Sequence, residues 1–293
     1  MQPSGLSPES EGPIISPEEL EHYKREFSLS GQLDLLLEMD RWSSLNGKAV
    51  LEIGGSNIPR PFIFEVLKAR RWVSVDRVYP TNRVLWPRQY NEVEVLPITA
   101  QVEFDALSGF VVLDGRIEFL PPSFAGRFDA IVSIDAFEHV HRFSTMLDQA
   151  YGALRPGGKL SAIYSPIWPS HFGHHLWGVT DKSGRTFYIE TSPIPPWGHL
   201  LMRPQELYRH LLDHTDPETA DEIVFQVHHG DNLNRLFVED YEAYFRNSRF
   251  PSYSIRSFVP NVEPPPEIQQ QLERLHPGRK QFSMIGIHVR CEK

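Results

Sequence analysis

Histidines are concentrated in one short stretch of this chain, where their side chains could carry acid–base or metal chemistry. The stretch SPIWPSHFGHHLWG, residues 165–178, contains His171, His174 and His175 among aromatic side chains. Imidazole gains and loses a proton near neutral pH and also binds divalent metals. The pattern therefore fits a general base, a metal site or loop histidines that simply hydrogen-bond to the backbone. His139, within the tetrapeptide FEHV, is a fourth candidate for proton transfer.

A glycine turn follows the first short, strongly apolar run of the chain. Residues 50–57 read VLEIGGSN, so Glu52 stands two positions before Gly54, and Asp76 ends the next apolar run, RWVSVD. The turn lacks both the GK[ST] of a phosphate-binding loop and the complete G-x-G-x-x-G of a dinucleotide site. Glycine lets the backbone approach a ligand, and an acid at the end of the next strand can accept both hydroxyls of a ribose. This combination indicates a nucleoside ligand.

Short apolar runs alternate with helical patterns, which predicts parallel strands joined by crossover helices, among them a helix at 61–70. The five runs predicted as parallel strands are 48–53, 71–76, 109–114, 128–135 and 159–165. Two closing strands, at 252–260 and 281–292, predict an antiparallel edge. The fold class predicted is α/β, Rossmann-like, with a seven-stranded, mainly parallel sheet, helices on both faces and an antiparallel edge strand.

The chain is expected to form one domain over residues 16–293. Residues 1–15 are rich in Pro, Ser, Gly and Glu, a composition typical of disorder. Two helices within 16–45 precede the first strand. Residues 166–235 interrupt the alternation as an insertion after the fifth strand, with one helix predicted at 204–214.

Two further segments follow the glycine turn in order. RFDAIVSIDAFEHV occupies residues 127–140, and ALRPGGKL occupies residues 153–160. With the turn at 50–57 and Asp76, they resemble, in register, four motifs of the class I S-adenosylmethionine-dependent methyltransferases, particularly the small-molecule branch. The resemblance covers residues 45–165 closely. It implies S-adenosylmethionine as the cofactor and methyl transfer as the reaction.

The resemblance also implies which residues hold the methionine and ribose parts of the cofactor. Ser56 stands where the family usually has its second glycine. The residues implied for the methionine end are Glu52, Gly54, Gly55 and Ser56. Asp76 is implied to bind the ribose hydroxyls, with Arg77 alongside.

The adenine position is implied less sharply, because LDGRIEFLPP has two more residues than the family pattern. Counted forward, the position falls on Asp114, and Gly115 beside it is also expected to contact the cofactor. Counted back from Pro121, it falls on Arg116, and the backbone would then hold the adenine. Asp135, just past the fourth predicted strand, would face both the cofactor and the acceptor. The helices of 16–45 would form a lid or pack on the sheet.

The activity expected from these residues is methyl transfer to a small acceptor, with oxygen favoured over nitrogen or carbon. A sugar, a phenol or a specialised metabolite would suit the aromatic and histidine-rich insertion. The candidate catalytic residues are His171, His174, His175 and His139. A metal-assisted transfer is a less favoured alternative, in which two of His171, His174 and His175, together with Asp135 or His139, hold a divalent cation. A non-catalytic S-adenosylmethionine-binding subunit is the alternative from another class.

Composition limits the partners. The net charge is −9 and the pI about 5.8, which disfavours binding to nucleic acid. No run approaches 18 apolar residues and the first residues lack a leader pattern, so a cytoplasmic protein without membrane contact is expected. Cys291 is the one cysteine, so no disulfide framework forms. The oligomeric state stays open, with a homodimer as one option.

Overall fold

An eight-stranded sheet forms the centre of the structure. The computed structural model describes residues 6–9, 12–13, 15–55, 57–78, 93–99 and 101–293. The strands of the main sheet are β1 Ala49–Ile53, β2 Arg71–Asp76, β3 Glu94–Pro97, β4 Phe110–Asp114, β5 Phe128–Ile134, β6 Leu154–Tyr164, β9 Ser252–Ser257 and β10 Ile287–Glu292. A separate hairpin consists of β7 Trp177–Thr180 and β8 Thr186–Tyr188.

The strand order is β3-β4-β2-β1-β5-β6-β10-β9. β10 runs antiparallel to both β6 and β9, and the remaining pairs are parallel. The predicted mainly parallel sheet with antiparallel pairing at one edge is thus confirmed. The strand count is eight rather than seven, because the four residues of β3 pair outside β4. A run that short carries no periodicity that could have predicted it.

Helices cover both faces of this sheet, as predicted. The helices are α1 Pro17–Phe27, α2 Gln32–Ser43, α3 Phe143–Ala153, α4 Gly198–Leu201, α5 Pro204–Leu211, α6 Pro217–His228, α7 Val238–Arg246 and α8 Pro266–Leu275. α1 begins where the sequence predicts, because the Ser16 side chain accepts from the Glu19 N–H and the Glu19 side chain accepts from the Ser16 N–H. None of the helices in the described part of the chain is long and apolar enough to cross a membrane.

β1 shows why the central strands read as continuous apolar runs. All five of its residues are buried. Leu51 packs into the core formed with α3 and α7, whereas Val50 packs into the opposite core formed with α2. Successive side chains of a strand point to opposite faces, so a strand covered on both sides must be apolar at nearly every position.

The helix predicted at 61–70 is present but ends early, at Val66. A single π-type turn covers Phe62–Val66, and the Leu67 N–H bonds to the Phe62 carbonyl at 3.0 Å. Lys68 then adopts a left-handed conformation with φ 54°, and β2 begins at Arg71. The short connection leaves room for one buried turn, so tertiary packing overrides the helical pattern after Val66.

The insertion, residues 166–235, has a core of its own. Trp168, Leu176 and Trp197 are buried there together with leucines from α5 and isoleucine from α6. The sequence predicted only the first of these two helices. Asp216 is the N-cap of α6, and its side chain accepts from the Thr219 N–H. This N-cap signal, followed by Pro217, was present in the sequence and was missed.

The N-terminal segments pack on the domain. The Ser7 hydroxyl donates to the Glu292 carboxylate at 2.8 Å, and Glu9 pairs with Arg290 at 2.6 Å. α2 buries Leu33 and Leu36 against the sheet. This is the packing alternative for residues 16–45, since no described residue of that range lines the cavity discussed below.

His288 is a buried, uncharged residue of β10. Its Nδ1 accepts a hydrogen bond from Arg256 at 3.1 Å, and its Nε2 lies 3.0 Å from the Ser161 hydroxyl and 3.4 Å from Nε of Arg290. Glu38 pairs with both arginines. Burial, with smaller contributions from the charges of Arg290 and Arg256, lowers the pKa of His288 to about 3.

We expect this residue to make folding sensitive to acid. The unfolded chain protonates His288 below its ordinary pKa of 6.5 while the folded chain does not, so its contribution is complete above pH 6.5 and is lost as the pH falls towards 3. In His288→Gln, the free energy of unfolding between pH 6 and 4 should fall less steeply, by about 1 kcal/mol per pH unit. Urea titrations across this range measure the slope, and equal slopes in the two proteins would contradict the assignment.

Candidate active site

A cavity of about 550 Å³ opens at the carboxyl ends of four adjacent parallel strands. The carboxyl edge is where open α/β sheets bind ligands. The cavity is lined by the turns after β1, β2, β4 and β5 and by a segment that follows α6. The lining residues that matter below are Gly54, Gly55, Asn57, Asp76, Arg77, Gly115, Arg116, Asp135, His139, His141, Asp231 and Asn232.

The glycine turn approaches the neighbouring turn so closely that no side chain fits. Gly54 has φ 80°, and a Cβ atom placed on it would lie 2.3 Å from the Cβ of Ala136. Its N–H bonds to the Val75 carbonyl at 2.9 Å, which joins the turn to the end of β2. Glycine is therefore required for both conformation and contact. The turn presents backbone, rather than side chains, to the cavity.

Asn57 supplies a polar atom without a partner at this turn. Its Oδ1 is buried and makes no hydrogen bond among the described residues, although the residue lines the cavity. Buried acceptors are normally paired. A ligand that donates a hydrogen bond, such as an ammonium group, would satisfy it. Ser56, also predicted here, lies outside the described residues.

Glu52 is placed differently from the other predicted residues of the turn. It is 1% exposed and accepts a hydrogen bond from the indole N–H of Trp72 at 2.9 Å. It does not line the cavity. Its side chain lies on the strand face covered by α2, because alternate residues of β1 face opposite cores.

The ends of β2 and β4 bring two aspartates into register, but only one lines the cavity. Asp76 lies at the wall beside Arg77, whose N–H it accepts at 2.8 Å. Asp114 instead accepts the N–H of Val78 at 3.0 Å and does not line the cavity. Of the three residues expected near the adenine, Gly115 and Arg116 therefore line the cavity and Asp114 does not.

Gly115 permits a second close approach. A Cβ atom there would lie 2.0 Å from Cγ2 of Ile98, the residue after β3. Beside Arg116, the backbone of Gly115 thus packs directly against the Ile98 side chain.

Asp135 lines the cavity in an uncommon backbone conformation. Its φ is 46°, a value that a residue with a side chain seldom adopts. Its carboxylate accepts the Ser165 N–H at 3.1 Å. Although the side chain reaches the cavity, surrounding protein desolvates it and raises its pKa to about 6, against the opposing effect of Ser165.

His139 and His141 are held by backbone carbonyls of the segment after α6. His139 Nδ1 bonds to the Asn232 carbonyl, and His141 Nε2 bonds to the Asp231 carbonyl at 2.6 Å. Burial lowers the pKa of His139, an effect that its bond to Asn232 opposes in part. At neutral pH the ring is uncharged, with its proton on Nδ1 and a lone pair on Nε2.

His175 is the histidine of the insertion that lies beside His139. The two ring centres are 5.4 Å apart in an edge-to-face arrangement. His175 has φ 50°, and its Nδ1 lies 3.3 Å from the Gly173 carbonyl. Burial, with a smaller contribution from His139, lowers the pKa of His175 to about 3.

His171 and His174 belong to the core of the insertion instead. His174 is 1% exposed, its Nδ1 accepts the Leu176 N–H at 3.2 Å, and its ring centre lies 5.7 Å from that of His199. His171 packs on Trp197 with ring centres 5.8 Å apart. Neither residue lines the cavity. His171 and His174 therefore lie outside the cavity, and neither belongs to the group of possible metal ligands that contains His175.

Glu138 is a further candidate residue, and the sequence pattern does not distinguish it. It is fully buried, and neither carboxylate oxygen has a hydrogen-bond partner among the described residues. Burial raises its pKa well above the ordinary value, and the charge of Asp135 raises it further. Asn57 and Asn232 were missed as well, because a lone asparagine in a loop carries no positional signal.

The central part of the chain matches a family model. Residues 93–162, from β3 through most of β6, match the family described as "Methyltransferase domain". Curated protein sequences yielded no match.

Several solved structures are similar at low identity. An S-adenosylmethionine-dependent methyltransferase from Mesorhizobium loti is 14% identical, with 85% of this chain and 93% of that chain covered and a TM-score of 0.46. Phosphoethanolamine N-methyltransferase 2 from Haemonchus contortus, in complex with S-adenosyl-L-methionine, is 14% identical. The match covers 95% of this chain and 57% of that chain, with a TM-score of 0.48. An S-adenosylmethionine-dependent methyltransferase from Archaeoglobus fulgidus is 12% identical. The match covers 94% of this chain and 99% of that chain, with a TM-score of 0.42.

The family match covers strands whose turns form the cavity wall, and the strand order places the glycine turn beside the acid that ends β2. Residues 93–162 thus match a methyltransferase domain, in agreement with the resemblance of the sequence motifs to the class I S-adenosylmethionine-dependent methyltransferases.

Proposed function

We propose that the chain is an S-adenosylmethionine-dependent methyltransferase that acts on a hydroxyl oxygen of a small polar acceptor, of the sugar or specialised-metabolite class. The observation that carries the proposal is the uncharged His139 ring at the cavity wall. S-adenosylmethionine supplies an already activated methyl group. What a hydroxyl acceptor still needs is help in losing its proton, whereas a neutral amine offers its lone pair directly.

The cofactor would lie along the turns of β1, β2 and β4. The Gly54 turn and the unpaired Oδ1 of Asn57 suit the charged methionine end, since they offer close backbone approach and a hydrogen-bond acceptor. Asp76 would accept the ribose hydroxyls from the end of β2. Gly115 and Arg116 border the place left for the adenine.

The acceptor would then enter from the side of Asp135 and His139. Both residues line the same cavity as the Gly54 turn, and the whole cavity has a volume typical of small-molecule sites, about 300–1,000 Å³. The lone pair on Nε2 of His139 can accept the hydroxyl proton directly or hold a cation that polarises the hydroxyl. Either route makes the oxygen nucleophilic in line with the methyl group.

The acceptor class is tested by incubating the enzyme with methyl-labelled S-adenosylmethionine and matched panels of hydroxylated and amine-bearing small molecules. O-methylated products, identified by mass spectrometry, would support the proposal. Transfer to amines alone would contradict the hydroxyl assignment. Binding of S-adenosylhomocysteine without transfer to any acceptor would favour the non-catalytic alternative.

Asp76→Ala should weaken binding of S-adenosylhomocysteine by roughly 10- to 100-fold, because hydrogen bonds to a carboxylate contribute about 1.5–3 kcal/mol. Titration calorimetry measures the affinity. Asp114→Ala is the matched control, since Asp114 lies opposite Asp76 in the β2–β4 register but outside the cavity. Unchanged affinity in Asp76→Ala would refute the ribose contact, and an equal loss in Asp114→Ala would restore Asp114 as an adenine ligand.

His139→Ala should lower the turnover number by roughly 100-fold or more, the scale expected when assistance to proton removal is lost. Affinity for S-adenosylhomocysteine should change much less, because the other cofactor contacts remain. His171→Ala should retain normal turnover, since His171 packs on Trp197 outside the cavity. Single-turnover kinetics on an accepted substrate distinguish the two variants. Normal turnover in His139→Ala would remove this residue from the chemistry.

A further inference from the structure

We propose that Glu138, His139 and His175 form a binding site for one divalent transition-metal cation at the edge of the cofactor cavity. One carboxylate oxygen and one nitrogen from each ring all lie within 4.8 Å of one another. The three residues come from two separate segments, the turn after β5 and the loop of the insertion. His139 also lines the cavity, so the cation would border the place of the acceptor.

The unpaired carboxylate of Glu138 is the first reason to place a cation there. The side chain is fully buried, and neither oxygen has a hydrogen-bond partner of normal geometry among the described residues. The nearby backbone N–H groups of Glu138 and Ser165 offset the effect of burial on its pKa only in part. The neighbouring charge is that of Asp135, which has the same sign. Burying a carboxylate is strongly unfavourable unless it is paired, protonated or bound to a metal. A cation would compensate both acids at once.

The two histidines are prepared in the way that metal ligands usually are. In each ring Nδ1 faces a backbone carbonyl, that of Asn232 for His139 and that of Gly173 for His175. Such a contact fixes the tautomer and leaves the Nε2 lone pair for a metal. His175 is also held at a positive φ, a conformation that costs free energy for a residue with a side chain.

The donor set indicates the kind of cation. Two imidazoles and one carboxylate suit zinc, iron and neighbouring first-row metals, whereas calcium and magnesium prefer oxygen ligands. With metal–ligand bonds of about 2.1 Å, ligand atoms come to roughly 3–4 Å from each other. The cluster reaches this spacing by small side-chain rotations. Three protein ligands leave at least one coordination position for the acceptor oxygen.

The role of the cation in methyl transfer rests on the proposed function. A hydroxyl oxygen coordinated there loses its proton to solvent more readily. An oxygen lone pair then forms the C–O bond to the methyl carbon as the C–S bond breaks. The electron pair of the C–S bond returns to sulfur, which leaves neutral S-adenosylhomocysteine. No electron is gained or lost overall, so no reductant or oxidant is required.

Metal binding is tested on the full chain, first freed of metal with chelator and then titrated with Co²⁺ or Zn²⁺. Visible absorption of Co²⁺ and calorimetry with Zn²⁺ should show one cation per chain. Glu138→Gln and His175→Asn should each weaken binding by at least about 100-fold, beyond what loss of an outer contact causes. Asn suits the positive φ of position 175. The control His171→Asn should bind like the wild-type protein.

Thermal unfolding adds a readout that does not depend on activity. Zn²⁺ should raise the melting temperature of the wild-type protein and of His171→Asn, because only the folded chain holds the site. Glu138→Gln should be at least as stable as the wild-type protein in chelator and should gain nothing from Zn²⁺. Absence of a Co²⁺ spectrum together with an unchanged wild-type melting temperature would overturn the proposal, as would equal affinity in all variants.

Failure of this inference and failure of the proposed function give different results. Undiminished O-methylation in chelator, with no cation bound, would refute the metal site and leave the hydroxyl acceptor standing. A cation bound as described, with transfer only to amines, would refute the acceptor class and leave the site standing.

Discussion

The close contact between the turns after β1 and β5 is the constraint on which the site depends. Gly54 meets Ala136 with no room for a side chain, and this is feasible because β1 and β5 are parallel neighbours in the middle of the sheet. Both strands are buried on both faces, so their ends cannot shift independently. The contact brings the backbone after β1 and the polar residues after β5 to one cavity. Acid–base groups and cofactor contacts are thereby held together by the core.

Two buried glutamates differ in whether another side chain donates a hydrogen bond to the carboxylate. Glu52 lies inside the sheet, but the Trp72 indole satisfies its carboxylate. Glu138 is buried just as deeply beside the cavity and has no such partner among the described residues. A satisfied buried acid needs no further explanation, since its hydrogen bond offsets the loss of water. The unsatisfied one is where an additional ligand is expected.

The insertion contributes to the site mostly through its backbone. Carbonyls of Asp231 and Asn232 orient His141 and His139, and the Asn234 N–H donates to the Glu138 carbonyl at 2.8 Å. Its own core of aromatic and uncharged histidine side chains gives this backbone a rigid base. The histidine-rich loop thus serves two purposes. Most of its rings fill a core, and His175 alone of the three predicted residues approaches the cavity residue His139.

The sequence by itself determined the sheet and the cofactor edge, because both depend on local patterns. Apolar runs mark strands buried on two faces, a glycine pair marks the turn, and Asp76 ends a strand that the pattern delimits to the residue. The tertiary structure alone decided which histidines meet and which acid lacks a partner. His139 and its carbonyl partner Asn232 lie 93 positions apart, and no periodicity connects them. Contacts between a turn and a distant insertion follow from how whole elements pack, which short-range patterns do not encode.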